Sequence, residues 1–242
     1  AGKAIVYLAQ NGRSRLALEL AASVLDITAK ENRTGGDNGI SIKMELHSYE
    51  NILKNVLSEL VLAAPKEILV FLCTLLERAV EIKIASGKDL SCFWHATVED
   101  HPQNKGRDVI NYLVTAVRDV IEKVANSTQD VEEVISILHK RNGTIFERIA
   151  LHTLRVRFVL AKTLAFEAML TEELFRDAVV KHEYSLLLRE GFKELKRTEQ
   201  EVILGWIMAG PQYTESSPNL DRDNAWRRNH FSLICEDLPE DW

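Results

Sequence analysis

"RDVINYLVTAVRDVIEKVAN", residues 107 to 126, decides how the rest of the chain is read. Its apolar residues Val109, Ile110, Leu113, Val114, Val117, Val120, Ile121 and Val124 recur three, four and seven apart. Arg107, Asp108, Asn111, Arg118, Asp119, Glu122 and Lys123 fill the other side, so the stretch predicts an amphipathic helix with one face on a core. Valine is stiff at χ1 and a middling helix former; packing, rather than intrinsic propensity, must hold this helix.

Similar spacing recurs at about 13 to 29, 47 to 64, 66 to 86, 128 to 141, 144 to 170, 172 to 196 and 199 to 209, with no convincing alternating strand between. Pro65 suits a first helical turn, where its missing N–H costs nothing. Thr144 with Glu147, and Thr198 with Glu201, read as capping boxes. The helix over 66 to 86 is apolar on nearly all sides and is placed centrally. Short connections favour antiparallel neighbours. The expected fold class is therefore all-α: an array of antiparallel helical hairpins forming a HEAT/armadillo-like solenoid or an irregular helical bundle. The solenoid is favoured, although no clean repeat period is visible. Residues 1–210 read as a single helical domain interrupted by a flexible, glycine-rich loop at 28–41. Residues 211–242 read as a loop, a short terminal helix within "AWRRNHFSLICEDL" and an acidic tail.

Composition narrows the function classes. With 242 residues and 46% hydrophobic content, the chain is long enough to bury a substantial core. A formal net charge of −6 disfavours a nucleic-acid surface, which needs a concentrated basic face. Cys73, Cys92 and Cys235 are odd in number, widely spaced and without a CxxC pair, which fits neither a disulfide framework nor a structural zinc site. A reducing, cytoplasmic location is expected. Apolar runs such as "ILVFLCTLL" at 68 to 76 fall well short of the ~20 residues a membrane span needs, so no membrane association is expected. The opening "AGKAIVYLAQNG" lacks the pattern of a secretory signal, and fits either a native start after loss of Met or a boundary inside a longer protein.

The stretch that looks most like chemistry is "FWHATVEDHPQN", residues 93 to 104. Were 91 to 101 helical, His95 and Glu99 would share a face at the four-residue spacing of two metal ligands or an acid/base couple. His101 lies six residues beyond His95, off that face, and Pro102 biases it away from helix, so no HExxH results. The simpler reading is a junction in which Phe93 and Trp94 anchor a short helix to the core and "DHPQNKG" is its polar exit. Cys92 with His95 reads as a buried small hydrophobe beside a surface histidine rather than a thiolate and its base. Around His182, "HEY" reads as solvated charges beside a core tyrosine, and His152 as a hydrogen-bonded core histidine. Arg148, Arg155 and Arg157 either gather into a patch or pair with neighbouring acids at the surface. "SGKD" at 86 to 89 reads as a helix C-cap, and no GxxxxGK[ST] loop is present. No catalytic, cofactor-binding or metal residue is assigned.

Taken in order, "GRSRLALELAASVLDI", "FWHATVEDHPQNKGRDVINYLVTAVRDV", "IFERIALHTLRV", "VVKHEYSLLLREGFKEL" and "ILGWIMAGP" resemble the helical region downstream of the nucleotide-binding module in large bacterial STAND-type ATPases, including ones linked to antiviral defence. The resemblance spans most of the chain and carries no catalytic motif. It implies that the chain is a fragment of a larger multidomain ATPase, with the helices acting as a recognition or regulatory arm. The expected function is a non-enzymatic helical interaction, sensor or regulatory domain with a protein or peptide partner. The alternative is a helical metal-dependent hydrolase using His95 and Glu99, with His101 or His182 as further ligands.

Overall fold

The computed structural model describes residues 1–30, 39–84, 89, 91–104, 108–212 and 220–238. Its helices are α1 (Gly2–Gln10), α2 (Ser14–Leu25), α3 (Leu46–Ala63), α4 (Pro65–Ile84), α5 (Ser91–Trp94), α6 (Val109–Val124) and α7 (Thr128–His139), then α8 (Thr144–Val156), α9 (Lys162–Met169), α10 (Glu172–Arg176), α11 (Lys181–Gly191), α12 (Arg197–Ala209) and α13 (Leu220–Ile234). Single 3-10 turns sit at Pro102–Asn104, Phe192–Glu194 and Cys235–Asp237. The all-α class holds. Among the described residues no helix is long and apolar enough to cross a membrane.

Packing follows chain order. Helices α1 and α2 pack with α3, α3 and α4 with α6, α6 and α7 with α8, α8 with α9 and α11, and α11 and α12 with α13. The valines of the opening stretch explain why α6 is central: Ile110, Leu113, Val114 and Val117 are fully excluded from water between α3, α4 and α8. Burying one such side chain contributes about 1.5–3 kcal/mol, which outweighs the small penalty of β-branching in a helix. Pro65 opens α4 as the first helical residue, and Ile68, Leu69, Leu72, Cys73, Leu75, Leu76, Ala79 and Val80 of that helix are buried.

Several local expectations need correction. Two short strands, β1 (Ile27–Ala29) and β2 (Ile40–Ile42), pair antiparallel with Ile27 opposite Ile42 at the two ends of the expected 28–41 loop. Three residues per strand are too few for alternation to register in a sequence. The rest of that loop, the C-cap at 86–88 and the end of the acidic tail lie outside the described residues. Helix α1 falls outside the segments expected to be helical, and α13 starts earlier than "AWRRNHF" suggests. That last helix is tied to the body: the Trp226 and His230 rings stack at 3.8 Å, and Phe175 meets both.

The helices expected at 144–170 and 172–196 are each broken. After α8, Arg157 leaves the helical path (φ −108°, ψ 28°) and its Nε donates to the Ala125 carbonyl, 2.7 Å away, at the C-terminus of α6. After α10, the Asp177 carboxylate accepts the Val179 N–H at 2.8 Å, a side-chain turn that ends the helix. Neither expected capping box forms. Thr144 lies inside α8, its N–H donates to Asp89 Oδ2 at 2.5 Å, and its hydroxyl meets Ser91 Oγ at 2.9 Å. At α12 the carboxylate is Glu199, not Glu201, and it accepts the Lys196 N–H at 2.8 Å. Ser127, which is not among the expected caps, closes the start of α7 by accepting the Asp130 N–H at 3.2 Å.

Gly143, just before α8, has φ +114°, and a Cβ there would lie 2.9 Å from Val80 Cγ1. Gly143→Ala is expected to cost about 1–3 kcal/mol through backbone strain and overpacking, read as a lower urea midpoint with an unchanged slope.

Candidate functional site

The 91–104 stretch is a strap laid over α6, α8 and α11. Helix α5 ends at Trp94, so His95 and Glu99 do not share a helical face. Apolar burial holds the strap only at Val98, which is buried, and at Trp94, half-buried against the core; Ser91 and His95 are buried polar side chains. Phe93, expected to be an anchor, is 81% exposed.

Polar groups do most of the fastening. Arg148, on the core face of α8 and 0% exposed, divides its guanidinium between the strap and α11. Its Nη1 donates to the His95 carbonyl at 2.8 Å and its Nη2 to the Ala96 carbonyl at 3.1 Å. The same group meets the Glu183 carboxylate of α11 in a bidentate pair, at 2.9 and 2.8 Å. Glu183 in turn accepts the Val98 N–H at 3.0 Å. Arg118 of α6 donates to the Val98 carbonyl at 3.1 Å and to Asp100 at 2.8 Å. Arg155 joins Glu99 of the strap to Glu190 of α11.

These contacts revise three expectations. Arg148 and Glu183 are a buried pair, not surface or solvated charges. Asn111 and Arg118, assigned to the outer side of α6, are buried. Arg155 is spent on carboxylates and Arg157 on α6 carbonyls, so the three arginines form no basic patch. The register carried the missing signal: Glu183 is four residues before Leu187, and Arg148 is three after Ile145, both on core stripes.

The remaining candidates scatter. His95 is buried, not the surface histidine expected, with its Nδ1 2.9 Å from Asn111 Oδ1 and its Nε2 3.4 Å from Asn104 Nδ2. Burial pushes it down to about 4, the Asn111 hydrogen bond opposing the shift and the Arg148 charge adding to it. His152 is also buried, yet neither ring nitrogen has a hydrogen-bond partner. Burial, then the Arg155 charge, lowers it to about 4. His182 is exposed, His101 accepts the Gln103 N–H, and Cys92 is half-buried. Among the described residues no three His, Cys, Asp or Glu side chains are grouped to hold a metal ion.

A second feature lies away from the strap. The α3–α4 and α6–α7 turns leave between them a groove of about 690 Å³. Val61, Leu62, Leu69, Val124, Val134 and Ile137 give it an apolar lining, with Lys66, Lys123, Glu122, Asp130 and Glu133 also at its walls. Lys66 Nζ meets Glu133 Oε2 at 2.5 Å, joining the α4 and α7 walls. Leu62 is 82% exposed, a large apolar side chain left in water at the groove. No motif marks these residues in the sequence, because the groove is made by two turns about 60 residues apart; the apolar run "LVLAAP" at 60 to 65 is the available hint.

No protein-family model, no curated protein and no solved structure matches this chain.

Proposed function

We propose that this chain is a non-enzymatic helical interaction domain that seats apolar side chains of a protein or peptide partner in the α3–α4/α6–α7 groove. The observation that carries the reading is the groove itself: about 690 Å³, aliphatic within, charged at its walls, with Leu62 82% exposed at it. Concave, largely apolar clefts with a few polar groups are where ligands and helical peptides dock. In the wider proposal the successive hairpins stack in a HEAT-like manner and act as the sensor or regulatory arm of a larger STAND-type ATPase. The resemblance of the five helical segments supports that part.

The groove reading is tested by selecting peptides from a random 16-residue display library on the immobilised chain. Peptides with aliphatic residues three and four apart are expected. A hot-spot contact is worth about 2 kcal/mol or more, so Leu62→Asp and Ile137→Asp, at the exposed and half-buried aliphatic positions of the groove, should each weaken the selected peptides at least about tenfold. Circular dichroism should stay unchanged for Leu62→Asp, whose side chain already faces water. Peptides that bind wild type and both variants alike would remove the groove from the proposal, as would a library that yields none.

A further inference from the structure

The strap is fastened at its centre by a hydrogen-bond polarity that one proton reverses. Asn104 is the staple: its Oδ1 accepts the Ala96 N–H at 3.0 Å, and its Nδ2 donates to the Thr97 carbonyl at 2.6 Å and the Glu99 carbonyl at 3.2 Å. Those three bonds fix which way the Asn104 amide points, because a flip would set N–H against N–H and oxygen against oxygen. The same Nδ2 faces His95 Nε2 at 3.4 Å, so that ring nitrogen must be the lone-pair side. On the far side of the ring, Nδ1 supplies the proton to Asn111 Oδ1 at 2.9 Å. The Asn104 NH₂ has two hydrogens for these three acceptors, so the long contact to Nε2 shares one with a carbonyl, and the Nδ1–H tautomer is the neutral form in which no donor faces a donor.

We propose that His95 is a proton-operated latch: the neutral ring closes the 91–104 strap, and a proton on Nε2 opens it. A second N–H would point at the Asn104 NH₂, donor against donor, in a buried place. It would also add a positive charge where Arg148 of α8 and Arg118 of α6 already stand. The Glu183 carboxylate of α11 acts on the ring in the opposite sense, but it is already engaged by both Arg148 and the Val98 N–H. The lowered affinity of His95 for a proton agrees with that crowding. Nothing apolar is strong enough to keep the strap down once the polar fasteners go, since Val98 is its only fully buried aliphatic side chain. Release uncovers the half-buried Trp94 and the Arg148–Glu183 pair beneath. The inference is independent of the groove and of its partner.

Hydrogen exchange of the whole chain, corrected for intrinsic rates, tests it through the Ala96 and Val98 amides, which donate to Asn104 and Glu183. Between pH 7 and pH 4.5 their protection should fall at least about tenfold further than that of Leu113 in α6, which reports the stability of the whole fold. His95→Gln offers a similar reach but takes no proton, and should lose no more protection at Ala96 and Val98 than at Leu113 across the same range. Should that variant open at neutral pH, ¹⁵N shifts of the wild-type ring decide instead. Nε2 should be the unprotonated nitrogen at pH 7, and its titration should coincide with the loosening of Val98. Val98 staying protected after the ring is protonated, or loosening only together with Leu113, overturns the latch.

Discussion

Arg148→Met is expected to destabilise the fold by about 3–5 kcal/mol, the largest effect expected of any single side chain in this protein. The pair it breaks is almost fully dry, with side-chain exposures of 0% for Arg148 and 1% for Glu183. Removing the guanidinium leaves a carboxylate buried with only the Val98 N–H for company, and releases the His95 and Ala96 carbonyls as well. The cost is mostly that of an uncompensated buried charge, not the net worth of the pair. Arg148→Met with Glu183→Leu should therefore recover most of the loss, because two apolar side chains leave no orphan ion. Urea unfolding followed by circular dichroism measures both. Arg15→Ala is the control: Arg15 and Glu19 are 92% and 57% exposed, and such a pair contributes no more than about 1 kcal/mol. A double variant as unstable as Arg148→Met would mean that the carbonyl contacts, and not the ion pair, hold this region.

Acid is expected to weaken the protein between about pH 6.5 and pH 4, and His152 should account for a large part of it. Burial holds both His95 and His152 down to about 4 from an ordinary 6.5. Within that window the unfolded chain binds more protons than the folded one, so stability falls as pH falls. It is fully present above about pH 6.5. A shift of this size corresponds to roughly 3 kcal/mol for each histidine. His139 works the other way, raised by its hydrogen bond to Glu147, but that pair is half in water and offsets little. His152 is the informative target because both of its ring nitrogens are buried without hydrogen-bond partners; the closest acid, Glu122, stands 3.9 Å away. Replacing it with leucine removes two unsatisfied polar atoms as well as the titration. His152→Leu should match or exceed wild type by about 1–3 kcal/mol at pH 7, and lose distinctly less than wild type on going to pH 4.5. Equal losses for both proteins would place the acid sensitivity elsewhere.

Much of the fold is legible in the order of the amino acids. The stripe of valines and isoleucines in 109–124, Pro65 at a helix start and the apolar run of 66–86 each correspond to an observed helix, although Asn111 and Arg118 are buried as well and Val70 faces water. The junction reading of 93–104 agrees with a short helix that stops at Trp94. Its fastening differs from the expectation. Phe93 faces water, and the hold comes from Arg148, Glu183, Arg118 and Asn104. Part of that is recoverable from spacing, since Arg148, Arg118 and Glu183 all sit at core positions of their own helical periods.

The helical class and the aliphatic inward stripes of helices such as α4 and α6 were thus determined by the sequence alone, because hydrophobic period is a property of a few consecutive turns of one chain. The tertiary structure decided what no local window contains. Arg148 and Glu183 are 35 residues apart, the break after α8 is made where Arg157 reaches the end of α6, and the groove exists only where two distant turns come to lie side by side. A charge at a core position must find a partner or fail to fold, and which partner it finds depends on how whole helices pack.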